Sequence, residues 1–187
     1  MISRSKFTDI LPALHKICKE AGTMQKKFHK TDINVSTKLN KTPVTQIDID
    51  SNIIITKSLK NLTPDIPIIS EEDYEGQQKH KSFWIVDPLD GTRNYLDNGS
   101  NFCICISLIN NEYPILGIIY SPMSDYFYYA YQNYGAYVIK GLGNPVKIST
   151  SKMSSENKNV YLVLDYYEKG DLHNFLKDKP LKEKYAK

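Results

Sequence analysis

Past residue 62 the hydrophobic pattern changes period, and the strands beyond that point limit the fold more than any other feature of the chain. Strand-like apolar runs occupy 102–109, 115–120, 126–131 and 136–139, with turn signals at Asn110-Asn111, Pro122-Met123-Ser124-Asp125 and Asn133-Tyr134-Gly135. Connections this short leave no room for a crossover helix, so neighbouring strands must pair antiparallel as a meander. The abundant tyrosines, 14 in all and many within 113–137, suit a half-buried sheet better than a base-stacking surface.

Ahead of the meander the period is helical. Phe7, Ile10, Leu11, Leu14, Ile17, Cys18, Ala21, Met24 and Phe28 recur at three- and four-residue spacing, one apolar stripe on a long helix. Pro12 belongs in a first turn, so the regular helix is expected to start near it. Residues 30–42 are polar and break the pattern. Ile47, Ser51, Ile54, Ile55, Ser58 and Leu62 mark a second helix, ending before Thr63-Pro64 because the residue before proline avoids the helical region. A short strand at 66–69 leads into Ser70-Glu71-Glu72-Asp73, 74–82 is a polar excursion, and 83–86 is a buried strand running into Asp87-Pro88. Two helices followed by a meander predict an α+β fold, the helices packed on one face of an antiparallel sheet.

With 41% hydrophobic residues the chain has enough apolar material for a core, and a net charge of +3 is too small to argue for nucleic acid. No run is long enough to span a membrane, and the N-terminus lacks the apolar segment of a secretory signal. The three cysteines, Cys18, Cys103 and Cys105, form no C-x-x-C pair and read as buried, reduced thiols of a cytoplasmic protein. His15, His29, His80 and His173 have no zinc-ligand spacing. Residues 141–159, rich in Gly, Ser, Asn and Lys, read as a loop and domain boundary. Beyond it, a strand at 160–164 and a short helix around Leu172, Phe175 and Leu176 cannot bury their own apolar faces. Residues 146–187 are therefore expected to be a linker and the start of a truncated second α/β domain. Val160, Leu162, Leu164, Phe175 and Leu176 would then form a patch that promotes self-association.

The chemistry concentrates in four acids. Asp87-Pro88-Leu89-Asp90-Gly91-Thr92 follows a buried strand. Pro88 stiffens the turn and Gly91 permits close backbone approach. Two carboxylates three residues apart at a strand end suit a hard cation such as Mg²⁺, which takes one or two carboxylates and fills its shell with water and substrate phosphate. The amides of Gly91 and Thr92 offer an anion nest, and Glu71 ends a neighbouring strand. Taken singly, Asp90-Gly91 is usually only a turn, Glu71-Glu72-Asp73 a solvated acidic corner, and Asp48 a favourable charge at a helix start. Their combination in this order is far more specific.

Pro43-Val44-Thr45-x-x-Asp48, Ser70-Glu71-Glu72-Asp73 and Trp84-Ile85-Val86-Asp87-Pro88-Leu89-Asp90-Gly91-Thr92 resemble the successive signatures of the inositol monophosphatase superfamily. Gly117-Ile118-Ile119-Tyr120-Ser121-Pro122 and Gly135-Ala136-Tyr137 are similar to its later sheet pattern. Within it, Ser-Glu-Glu-Asp and the Tyr-Ser-Pro turn most resemble CysQ-type 3′(2′),5′-bisphosphate nucleotidases, whereas Arg93-Asn94-Tyr95 leans toward the inositol-phosphatase branch. The resemblance implies the first domain of a sugar-phosphatase fold over residues 1–145, a Mg²⁺ cofactor and a small phosphorylated substrate. It implies that Glu71, Asp87, the carbonyl of Leu89 and Asp90 hold metal. Thr92 and Asp48 would help Glu71 activate the attacking water. Substrate contacts would come from Glu71, Leu89, Asp90, Gly91 and Thr92. The implied reaction is phosphomonoester hydrolysis, of 3′-phosphoadenosine 5′-phosphate or, as the alternative, inositol 1-phosphate, in the cytoplasm or peripherally on the inner membrane face. The superfamily's later Trp-Asp motif has no counterpart, because Trp84 is the sole tryptophan. A feebly active or non-catalytic remnant is thus a further expectation.

Overall fold

The computed structural model describes residues 4–31, 35–37, 43–73 and 80–149. In order these form α1 (Arg4–Phe28), β1 (Val35–Thr37), β2 (Pro43–Thr45), α2 (Gln46–Leu62), β3 (Ile68–Ser70), β4 (Ser82–Asp90), α3 (Thr92–Leu96), β5 (Cys103–Asn110), β6 (Tyr113–Ser121), β7 (Tyr126–Tyr131), β8 (Gly135–Lys140) and β9 (Val146–Ile148). Strands β3 to β9 make a sheet whose spatial order is the sequence order, and β1 pairs with β2 separately. The α+β architecture is the one expected from the change of period.

Several differences are instructive. Pro12 lies inside α1, not at its start. The stripe explains why: Phe7 and Ile10 before the proline and Leu14, Ile17, Cys18 and Ala21 after it are all buried, while Pro12 itself is exposed. Burial on both sides of the proline outweighs the cost of about 3 kcal/mol for the lost helical bond. The sheet is not wholly antiparallel, since β3 runs parallel to β4, with Ile68 opposite Trp84 and Ser70 opposite Val86. Residues 35–37, within the polar break, pair antiparallel with 43–45, just after it, as two short strands. Residues 92–96, read as loop, form α3. Residues 146–148, inside the stretch read as a loop, pair with β8 as a last antiparallel strand, so the sheet continues past residue 145. The expected elements at 160–164 and around Leu172, Phe175 and Leu176, and most of the excursion at 74–82, lie outside the described residues.

One continuous core lies between the helices and one face of the sheet. It joins the α1 stripe, Ile55 and Leu59 of α2, and Trp84, Val86, Ile104, Ile106, Leu108, Ile118 and Phe127 of the strands. Trp84 is fully buried, and its indole N–H donates to the Thr63 hydroxyl at 2.9 Å. Alternation along β5 turns Ile104, Ile106 and Leu108 inward, leaving Cys103, Cys105 and Ser107 half-buried on the other face. The expectation of three buried thiols therefore holds for Cys18 alone. Pairing carries Asp87, Cys105, Ile119, Tyr128, Val138 and Val146 in one row across the sheet, on the face turned away from the core helices. Ile119 and Tyr128 there are exposed.

Candidate metal centre

The site begins where α2 begins. The Thr45 hydroxyl accepts from the amides of Ile47 and Asp48 at 3.1 and 3.3 Å. The Asp48 carboxylate in return accepts from the Thr45 amide at 2.7 Å and from the Thr45 hydroxyl. This capping box satisfies two orphan donors of the helix and leaves Asp48 with one carboxylate oxygen committed. The other faces Thr92, whose hydroxyl lies 3.1 Å from it and 3.1 Å from the Leu89 carbonyl. Asp48 is 2% exposed, so its orientation is set by these donors.

The acidic turn sits on a β-bulge. Asp87 pairs with Cys105 and Asp90 with Cys103, so three steps along β4 are matched by two along β5. The extra residue bends the strand end and re-aims its side chains. Leu89 donates its amide to Asp87 at 3.1 Å. From behind, the fully buried Gln25 amide donates to the Pro88 carbonyl at 2.7 Å and to the Ser51 hydroxyl at 3.0 Å. One side chain thus ties α1, α2 and the acidic turn together. Tyr95 closes the group by donating its hydroxyl to the Gln25 carbonyl at 2.7 Å. Burial, with a smaller push from Asp48, raises the Tyr95 hydroxyl to about 12, so it stays a donor at neutral pH. Gly91 has φ 90°, and a Cβ there would stand 2.8 Å from the Asn101 carbonyl oxygen. Only glycine fits that turn.

Glu71 arrives from β3, its amide bonded to the Val86 carbonyl at 3.0 Å. The parallel pairing therefore delivers it beside Asp87. Burial drives the Asp87 carboxyl well above its usual range, the charges of Glu71 and Asp90 push it further, and the Leu89 amide opposes them. Three carboxyls in one field, all oxygen donors, are a set that a hard divalent cation neutralises. The residues present thus fit Mg²⁺ in kind. They are not drawn together tightly enough for one ion. Among the described residues, the three ligand atoms that lie within 4.8 Å of one another come from Asp90, Cys103 and Cys105. Ligands of one Mg²⁺ can be no more than about 4.2 Å apart, given metal–oxygen distances of about 2.1 Å. Side-chain rotation or two ions would be needed to engage Glu71, Asp87 and Asp90 together.

Every acid expected from the sequence lies in this region, as do Leu89, Gly91 and Thr92. Sequence reasoning missed the polar clamp. Gln25 falls four residues after Ala21 on the apolar stripe, and a polar residue on a buried face is the signal that would have found it. Cys103 and Cys105, read as core thiols, instead line the edge of the site.

The profile of the inositol monophosphatase family matches residues 6–184. The 3′(2′),5′-bisphosphate nucleotidase CysQ of Aggregatibacter actinomycetemcomitans is 37% identical over 134 residues, which is 70% of this chain and 50% of that protein. The protein of the same name from Buchnera aphidicola is 40% identical over 147 residues, 74% of this chain and 55% of that one. The chain spans about half the length of the curated relatives it matches. Among solved structures, an IMPase of Thermotoga maritima superposes with a TM-score of 0.64 at 28% identity, covering 75% of this chain and 54% of that chain. The suhB extragenic suppressor protein of Bartonella henselae gives 0.62 at 25%, covering 70% and 52%.

Proposed function

Because the chain belongs to the inositol monophosphatase family, we propose that it is a Mg²⁺-dependent phosphomonoesterase of the CysQ type, acting on the 3′-phosphate of 3′-phosphoadenosine 5′-phosphate. The observation that carries this is the acidic field at Asp87, raised by burial and by Glu71 and Asp90 together, beside the independently oriented pair Asp48 and Thr92. The named relatives support the nucleotide substrate. The likeness to the Thermotoga maritima IMPase supports inositol 1-phosphate as the second reading.

After side-chain rotation, Glu71, Asp87, Asp90 and the Leu89 carbonyl would hold the ion. Bound there, Mg²⁺ would supply Lewis-acid polarisation and lower the pKa of water. The remaining work belongs to the chain. Thr92 donates its single hydroxyl proton toward Asp48, so its oxygen can accept a hydrogen bond from the attacking water and orient it. Asp48 cannot swing away, because the capping box holds its other oxygen. Glu71 is the base that receives the water's proton. The amides of Gly91 and Thr92 receive the phosphate oxygens in a turn whose shape glycine alone permits, and Gln25 holds that turn from behind.

The test is Mg²⁺ titration by calorimetry together with phosphate release from 3′-phosphoadenosine 5′-phosphate and inositol 1-phosphate. Mg²⁺ binding by the wild-type chain, with binding and turnover both lost in Asp87→Asn, is the expected result. A wild-type chain that binds no Mg²⁺ would sink the proposal.

A further inference from the structure

We propose that Asp90, Cys103 and Cys105 form a binding site for a thiophilic divalent cation of the Zn²⁺ class, chemically separate from the all-oxygen set around Asp87. The two thiols stand two residues apart on the same face of β5. The β4–β5 register sets Cys103 opposite Asp90, and the bulge after Asp87 turns the Asp90 carboxyl toward it. The Cys103 sulfur lies 3.7 Å from the Asp90 carboxylate and 3.7 Å from the Cys105 sulfur.

Those separations are the edges of a tetrahedron. With zinc–sulfur bonds of about 2.3 Å, two sulfurs of a tetrahedral site stand about 3.8 Å apart. With a zinc–oxygen bond of about 2.0–2.2 Å, the sulfur–oxygen edge is about 3.5–3.7 Å. Two of the three donor–donor edges are therefore at ligand spacing before any ion arrives, and the third, between Cys105 and Asp90, lies within 4.8 Å. Three protein ligands leave a fourth position for water or another small ligand. Two thiols and a carboxylate also rank Zn²⁺ and Cd²⁺ above Mg²⁺ by ligand softness.

The Cys103 thiol donates to the Asp90 carboxylate at 3.7 Å, a contact that holds the carboxylate beside the sulfurs and that an incoming ion would replace. A disulfide would have to join positions i and i+2 of an extended strand. Their Cα atoms lie about 6.6–6.8 Å apart by strand rise, at the far limit of disulfide geometry. A bridging cation needs no such contraction. Binding is a ligand exchange: each thiol releases its proton to solvent as its sulfur coordinates. The hydrogen bond that the Cys105 thiol donates to the Cys103 sulfur, together with burial, holds Cys105 protonated in the free protein, so proton release accompanies binding. An ion seated there takes Asp90 away from the oxygen set. That competition, unlike the binding itself, rests on the proposed Mg²⁺ phosphatase reading.

The test is titration of the full 187-residue chain with Zn²⁺ by calorimetry and with Cd²⁺ by ultraviolet absorption, where a thiolate-to-metal charge-transfer band reports sulfur coordination directly. One ion per chain with that band is the expected result. Cys103→Ser/Cys105→Ser should abolish the band and weaken Zn²⁺ by about 100-fold or more, beyond the 10–100-fold typical of removing a supporting group. Asp90→Asn should keep the band and weaken Zn²⁺ about 10-fold or more. Cys18→Ala should leave both readouts unchanged. Absence of the band in the wild-type chain overturns the proposal without recourse to any variant, as does unchanged Zn²⁺ affinity in the double cysteine variant or in Asp90→Asn. These readouts need no turnover, so a failed phosphatase assay leaves the site proposal standing and a failed Cd²⁺ titration leaves the phosphatase reading standing.

Discussion

Substituting Gly91 by alanine tests whether the acidic turn is held by backbone geometry or merely decorated with acids. Gly91 sits at φ 90° and ψ 31°, where a side chain costs about 1–2 kcal/mol against the right-handed alternative. The added Cβ would meet the Asn101 carbonyl oxygen at 2.8 Å and the Phe102 Cα at 3.3 Å. Both are backbone atoms, which cannot rotate aside, so an overpacking cost of about 1–3 kcal/mol adds to the strain. The sum, about 2–5 kcal/mol, should lower the urea midpoint by about 1–2.5 M for a slope near 2 kcal/mol/M. Gly117→Ala is the internal control. It lies on β6, where nothing stands within 4 Å of the added Cβ, and it should be neutral or stabilising by up to about 1 kcal/mol. Relief of the clash requires the 88–92 turn to move relative to the 101–102 backbone it packs against, and displacement of that turn should lower Mg²⁺ affinity as well. If Gly91→Ala unfolds with the control and binds Mg²⁺ like wild type, the reasoning about this turn is wrong.

Three further outcomes can be checked with the same measurements. Gly22→Ala should destabilise by about 1–3 kcal/mol despite the helix-propensity gain of about 1 kcal/mol, because its Cβ would stand 2.6 Å from the buried Tyr120 ring; an unchanged or raised midpoint would contradict it. In Mg²⁺-free buffer Asp87→Asn should be more stable than wild type at neutral pH. The folded-state pKa of Asp87 is raised, so its contribution is full below the ordinary carboxyl value of 3.8 and is lost as pH rises toward the folded value; a less stable variant in chelator would refute this. Asp125 is shifted the other way. Burial raises it, but Lys19 at 3.1 Å and the Tyr120 hydroxyl at 2.9 Å prevail and lower it. Asp125→Asn should therefore cost about 1 kcal/mol above pH ~4, with the difference vanishing as wild type is acidified through its own folded pKa.

The meander was legible because short turns admit only one pairing. The second helix was legible because apolar spacing and the Thr63-Pro64 stop agree. What escaped were features that local rules price wrongly or do not see. Pro12 is unfavourable in a helix interior, yet six buried residues on both sides of it hold the helix through it. The strand at 146–148, Val-Lys-Ile, is only three residues long, exposed throughout, and pairs with the edge that β8 offers it. The parallel pairing of β3 depends on a connection through residues whose sequence pattern is merely polar. At the site, the acids were readable by type and order, whereas their support was not. Gln25 reaches Ser51 and Pro88 through hydrogen bonds across 26 and 63 residues of chain, a separation that periodicity cannot register.

This division has a physical cause that bears on how such a site can change. The acids repel one another, and burial opposes their charge, so they are a cost to the free fold. The groups that meet the cost are neutral: the Thr45 cap, the Gln25 amide, the Leu89 N–H and the strain-free Gly91 turn. A substitution at Glu71, Asp87 or Asp90 should alter what the site can bind and spare the frame, whereas one among the supports, or at Asp48 with its capping role, should move several groups at once. The bulge links the two classes, because one extra residue on β4 determines both which way Asp90 points and which β5 side chains it meets. Under the two proposals, the backbone that would present Asp90 to a hard cation would, with cysteines at those β5 positions, also present it to a soft one. Metal preference at this strand end would then depend on residues 103 and 105 as much as on the acids, although neither cysteine belongs to the acidic signature.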